Sequence, residues 1–155
     1  MSLLHARGGE ESFRAAAGLL DSADPDQRSL GADILGQLGA ARDVPVQQRP
    51  FAGPGAEAII ARIDEEKDPR VLRSMGSAFG HLHDPRCIPA LHALRGHPDE
   101  EVRLGVVHGL ATLDDDLAVE ALVELSGDPA PRVRDWATFG LGSQIDVTTR
   151  RSGAP

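Results

Sequence analysis

A chain of 155 residues can close one hydrophobic core without disulfides or metal, and an apolar share of 41% against 26% charged excludes wholesale disorder. Sixteen Lys and Arg against twenty-four Asp and Glu leave a net charge of -8, which repels phosphate backbones and anionic lipid, so neither nucleic-acid nor membrane affinity is expected. The lone Cys87 excludes an internal disulfide. With four Phe, one Trp and no Tyr, the core must be built from Leu, Ala, Val and Ile, which suits closely spaced helices better than strands.

In chain order, the opening MSLLHARGGEE lacks a basic region followed by an apolar run, so no secretory leader is expected. No apolar run reaches membrane-spanning length, and the expected compartment is the cytoplasm. An amphipathic segment over 10–20 leads to Asp24-Pro25 and the stretch DPDQRSLGADILGQLG. Prolines and glycines then predict a loop around 45–55. Further short helices are predicted over 56–66, 86–95 and 117–125, with the three-and-four spacing of buried leucines. Each is followed by a longer helix, heralded by Asp68-Pro69, His97-Pro98 and Asp128-Pro129, where a capping residue precedes a proline with no amide hydrogen to lose. Within the helix after Asp68, Val71, Met75, Ala78, Phe79 and Leu82 form one apolar stripe, with Arg73, Ser77 and Gly80 opposite.

These segments repeat. Val71, Val102 and Val133 fall thirty-one residues apart and bring Ala78, Gly109 and Gly140 into register; Gly36 aligns with Gly80 at forty-four. The unit is helix, short turn, helix, and each pair covers its apolar stripe only by stacking on the next. DPAPRVRDWATFGLG and HPDEEVRLGVVHGLATL then resemble the HEAT-repeat family, in the variant of bacterial HEAT-like repeat proteins related to the phycobilin-lyase type. The resemblance implies an all-α α-solenoid, a right-handed superhelix of about four antiparallel helix pairs. One domain is expected over 1–146, with repeats at about 9–39, 55–83, 85–113 and 116–145, a Pro/Gly loop at 40–54, and an irregular or disordered tail at 147–155. Two departures interrupt any ladder of Asp-Arg contacts: His97 stands where Asp128 stands in the next copy, and Leu72 where Arg103 and Arg134 stand.

Reaction chemistry finds little support. His81 and His83 are two apart, which does not place both on one helical face, and no His is followed by Glu; no metal and no cofactor are expected. The G-x-x-x-x-G-K-[ST] loop and the G-x-S-x-G elbow are absent. Cys87 reads as a small buried hydrophobe and Trp136 as core, while Asp114–Asp116 serves as a helix start. His108 and Asp135 occupy facing columns and are expected to pair.

What remains is the ridge opposite the apolar stripe of each second helix, which in HEAT-like stacks lines the concave surface. Its candidate partner-binding residues are Arg73, Ser77, Leu104, Val107, His108, Asp135, Thr138 and Phe139. The expected function is a non-enzymatic scaffold or adaptor that binds a protein partner of unspecified identity through this face, with the loop around 45–55 as a second contact. The resemblance implies one competing role, a lyase-like or chaperone subunit assisting prosthetic-group attachment to a partner protein. The chain is expected to be a monomer or a weak homodimer through an uncapped C-terminal repeat.

Overall fold

The computed structural model describes the backbone of residues 3–40 and 43–152 and the side chains of 9–40 and 43–143. Among these residues eight helices follow one another without a strand: α1 (Leu3–Leu19), α2 (Pro25–Gln37), α3 (Ala52–Ile63), α4 (Pro69–Leu82), α5 (Ile88–Ala93), α6 (Glu100–Leu110), α7 (Asp116–Leu125) and α8 (Pro131–Ser152). Short 3-10 turns occupy Val46–Gln48 and Pro85–Cys87. Helices α2, α4, α6 and α8 pack side by side as one layer and the intervening helices form the other. The result is an all-α solenoid of four helix pairs. The register column Val71, Val102 and Val133 is buried at its centre, each residue 1% exposed or less.

Two polar columns build the turns. Asp24, Asp68 and Asp99 cap α2, α4 and α6, each carboxylate accepting from the amide two residues on, at 2.9, 2.9 and 2.8 Å. Two residues upstream, Ser22 Oγ, Glu66 Oε1, His97 Nδ1 and Asp128 Oδ1 accept from the amides of Asp24, Asp68, Asp99 and Ala130 at 2.9–3.1 Å. The four X-Pro pairs therefore belong to two different positions. Asp24-Pro25 and Asp68-Pro69 start their helices, whereas His97-Pro98 and Asp128-Pro129 lie two residues earlier, and α6 begins after Asp99 instead.

An arginine column, interrupted at Leu72, ties two of the turns to the next. Arg28 donates to the carbonyls of Ser22 and Ala23 and forks onto the Glu66 carboxylate of the following turn at 2.8 and 3.1 Å. Arg103 repeats the arrangement with the carbonyls of His97 and Pro98 and the carboxylate of Asp128.

Three boundaries differ from expectation. Helix α1 extends back to Leu3. Helix α3 starts at Ala52, inside the predicted loop, because Pro54 falls in its first turn, where no intrahelical amide bond is lost. The expected irregular tail from 147 is instead helical through Ser152, since neither Gly nor Pro interrupts Asp146–Ser152. Residues 153–155 lie outside the described residues. The predicted loop folds back onto the stack: Phe51 stacks on Phe13 with centroids 5.3 Å apart, and Arg49 Nη2 donates to the His81 carbonyl at 2.7 Å.

Candidate functional site

Spacing along the second layer follows from which residues face one another across it. Between α4 and α6 the facing pair is Gly76 and Gly105: a Cβ on Gly76 would stand 2.5 Å from Gly105 backbone atoms, and one on Gly105 would stand 3.1 Å from the Arg73 Cα. One rung on, the equivalent positions are Val107 and Trp136, which are too bulky for such an approach. Accordingly α6 and α8 pack less closely than α4 and α6. The wedge opens a groove of about 350 Å³, lined by Val107, Ala111, Trp136 and Phe139 with Ser77, Gly80, His81, His108 and Thr112.

Aromatic rings form its α8 wall. Trp136 meets His108 edge to face with centroids 5.3 Å apart, and Phe139 meets Trp136 the same way at 5.8 Å. Both are unusually open for large apolar side chains, Trp136 at 49% and Phe139 at 67% exposure. The polar groups at the groove's base pair only in part with one another. Arg73 Nη1 donates to Ser77 Oγ and lies 3.2 Å from His108 Nδ1. Arg73 Nε is 3.4 Å from Glu101, whose other oxygen takes Arg132 at 2.7 Å. Burial, reinforced by the Arg73 charge, pushes His108 down to about 4, so the imidazole is neutral near pH 7. Its Nε2 is buried without a hydrogen-bond partner.

The eight predicted ridge residues divide. Arg73, Ser77, His108 and Phe139 share this surface. Leu104 and Val107 do not lie open on it: they are 2% and 1% exposed, because α6 is flanked on both sides and turns them toward α8, so only the edge of Val107 reaches the groove. Asp135 and Thr138 occupy the equivalent columns on α8 and are exposed. They make its outward flank polar. His108 turns to Arg73 and Trp136 instead of Asp135. Trp136, read as core, is the largest residue missed. The available signal was its place in the Gly105 column, where a large side chain cannot be accommodated between close helices.

Elsewhere, Cys87 is fully buried and its thiol is pushed up to about 12, by burial and then by the nearby Asp84 charge, which makes it an inert packing group. Among the described residues no three His, Cys, Asp or Glu side chains gather closely enough to hold a metal ion. No helix among them is long and apolar enough to cross a membrane.

A family model of HEAT repeats matches residues 56–142, more than half of the chain, and the chain belongs to that family. No curated protein matches it.

Proposed function

We propose that the chain is a non-enzymatic interaction module that binds a protein partner on the face presented by α4, α6 and α8. The observation that carries this reading is the pair of half-open aromatic rings on the groove wall. Tryptophan and other aromatics are enriched at the energetic centres of protein interfaces, and an exposed aromatic patch beside a preformed groove is what such a centre requires. HEAT-repeat stacks generally serve as protein-interaction scaffolds.

The test is affinity capture from the native organism with wild-type bait, compared with Phe139→Glu and with Val123→Glu. Val123 is 56% exposed on the other layer and serves as the control. A partner lost with Phe139→Glu, retained with Val123→Glu and crosslinking to α6 or α8 is the expected result. A partner indifferent to Phe139→Glu refutes the reading.

A further inference from the structure

The arginine column has one more member than it has carboxylates. Arg28, Arg103 and Arg134 each donate through Nη1 to the backbone carbonyl six residues upstream, that of Ser22, His97 or Asp128, at 3.0, 2.8 and 3.0 Å. In the first two, that contact sets the guanidinium so that Nε and Nη2 fork onto a carboxylate of the following turn, Glu66 or Asp128, at 2.8 and 3.1 Å. Where the following turn offers His97 instead, the column holds Leu72. Arginine in this column therefore goes with a carboxylate one rung on. Arg134 is exposed and keeps the contact to its own turn, but it has no carboxylate partner among the described residues.

Two more residues of the same α8 stripe are open where their counterparts are closed. Arg134, Thr138 and Leu141 face one way along the helix. Thr138 is exposed, whereas Val107 one rung back is 1% exposed; Leu141 is only partly buried, whereas Phe79 and Leu110 in its column are 0% exposed. Among the described residues the chain does not fold back to cover this stripe, since α8 runs on as helix through Ser152, past the position equivalent to the end of α6 at Leu110.

We propose that the outward flank of α8 docks a helix pair of a partner protein, stacked as α7 and α8 stack on α5 and α6, with an Asp or Glu of its leading turn gripped by Nε and Nη2 of Arg134. The carboxylate follows from the planar fork, whose donors match two oxygens at once. The helix pair follows from what covers the same stripe one rung earlier. A second copy stacked head to tail does not supply the carboxylate, because the first turn of this chain has Ser22 in that column. This flank is separate from the α6–α8 groove, and the two surfaces stand or fall independently.

Carbodiimide joins an amine to a carboxylate in contact with it, so Arg134→Lys turns the proposed grip into a covalent bond. Lys67 is the only other lysine and marks background coupling. The full chain carrying Arg134→Lys is treated with carbodiimide in an extract of the native organism, and mass spectrometry reads what is joined at position 134. The expected product is an Asp or Glu at the start of a helix in an α-helical partner. With that partner purified, Arg134→Leu, which copies Leu72 in the same column, should weaken binding about thirtyfold. Arg134→Glu should be rescued by the opposite change, carboxylate to arginine, at the joined position of the partner. No coupling at 134, coupling only to another copy of this chain, or an affinity indifferent to Arg134→Leu would overturn the proposal, whichever way the Phe139→Glu comparison falls.

Discussion

The Arg103 guanidinium grips the Asp128 carboxylate through two hydrogen bonds of 2.8 and 3.1 Å, and one rung earlier the same two positions are Leu72 and His97. The two departures from the repeat are thus one exchange, because the residues are partners across the turn. His97 keeps the half of the task that concerns its own turn, accepting from the Asp99 amide at 3.0 Å. Leu72, 3% exposed, needs no carboxylate. Together they border a cavity of about 290 Å³, edged by Ile63, Ala90 and Leu94.

Asp128→Ala is expected to cost about 3–5 kcal/mol, because it leaves the Arg103 guanidinium, 13% exposed, without its counter-ion. Copying the neighbouring rung, Arg103→Leu with Asp128→His, should cost less than the two single changes added together. Urea unfolding of the four proteins measures the coupling, and strict additivity would show that the pair is not a unit. Burial opposes the Asp128 charge, but the hydrogen bonds from Arg103 and the Ala130 amide hold the carboxyl below its ordinary value. The pair's stabilisation is therefore present above about pH 4 and is lost as pH falls through that lowered value.

His108 gives a second, separate pH dependence. Its unfolded value is near 6.5 and its folded value about 4, so between these the unfolded chain takes up a proton that the folded chain refuses. Stability should fall as pH drops from about 6.5 to about 4 and then level off for this group. Each unit is worth about 1.4 kcal/mol, and solvent screening at a partly exposed ring reduces the whole to about 1–2 kcal/mol. His108→Gln should remove that slope while leaving the smaller one from His83, which burial also lowers. Denaturant midpoints at several pH values check this, and parallel curves for the two proteins would exonerate His108.

Glycine substitutions should separate the close rungs from the open one. Gly76→Ala places a methyl 2.5 Å from Gly105 backbone, where neither helix can yield, so the roughly 1 kcal/mol gained in helix propensity is outweighed by overpacking of about 1–3 kcal/mol. Gly142→Ala in α8 meets nothing within 4 Å and should stabilise by about 0.5–1 kcal/mol. Thermal unfolding of both variants decides it: a stable Gly76→Ala protein would mean the α4–α6 spacing is not fixed by that contact.

The repeat register was legible because Val71, Val102 and Val133 recur at a constant interval, which places three pairs in a stack, and the longer offset from Gly36 to Gly80 adds the fourth. The width of each buried arc was not. A single stripe opposite a single ridge describes a helix with neighbours on one side, whereas α6 has α4 and α8 on either side, and only Glu100, Glu101, Arg103 and His108 escape burial along it. The groove depended on a comparison between columns: Gly76 with Gly105 brings helices together, Val107 with Trp136 holds them apart. In the turns, proline drew attention to the residue before it, which is the cap at Asp24 and Asp68 but not at His97, where Asp99 caps the helix instead.

Leu104 and Phe139 give the sharpest contrast on this surface. Both looked like ridge residues, yet Leu104 is 2% exposed and Phe139 67%. Leu104→Glu would bury a carboxylate between α6 and α8 with no counter-ion in a leucine-sized space, and an ionised group in such a place costs several kcal/mol or forces the helices apart. Since a whole domain is stable by only about 5–15 kcal/mol, most of the cooperative transition should be lost or shifted far down in temperature. Phe139→Glu places its charge in water and should move stability by about 0.5 kcal/mol or less, leaving Leu110→Ala, at a fully buried site, to fall between them with a loss of about 2–5 kcal/mol. Circular dichroism melts of the three variants rank them, and a Leu104→Glu protein as stable as Phe139→Glu would mean that α8 does not cover α6.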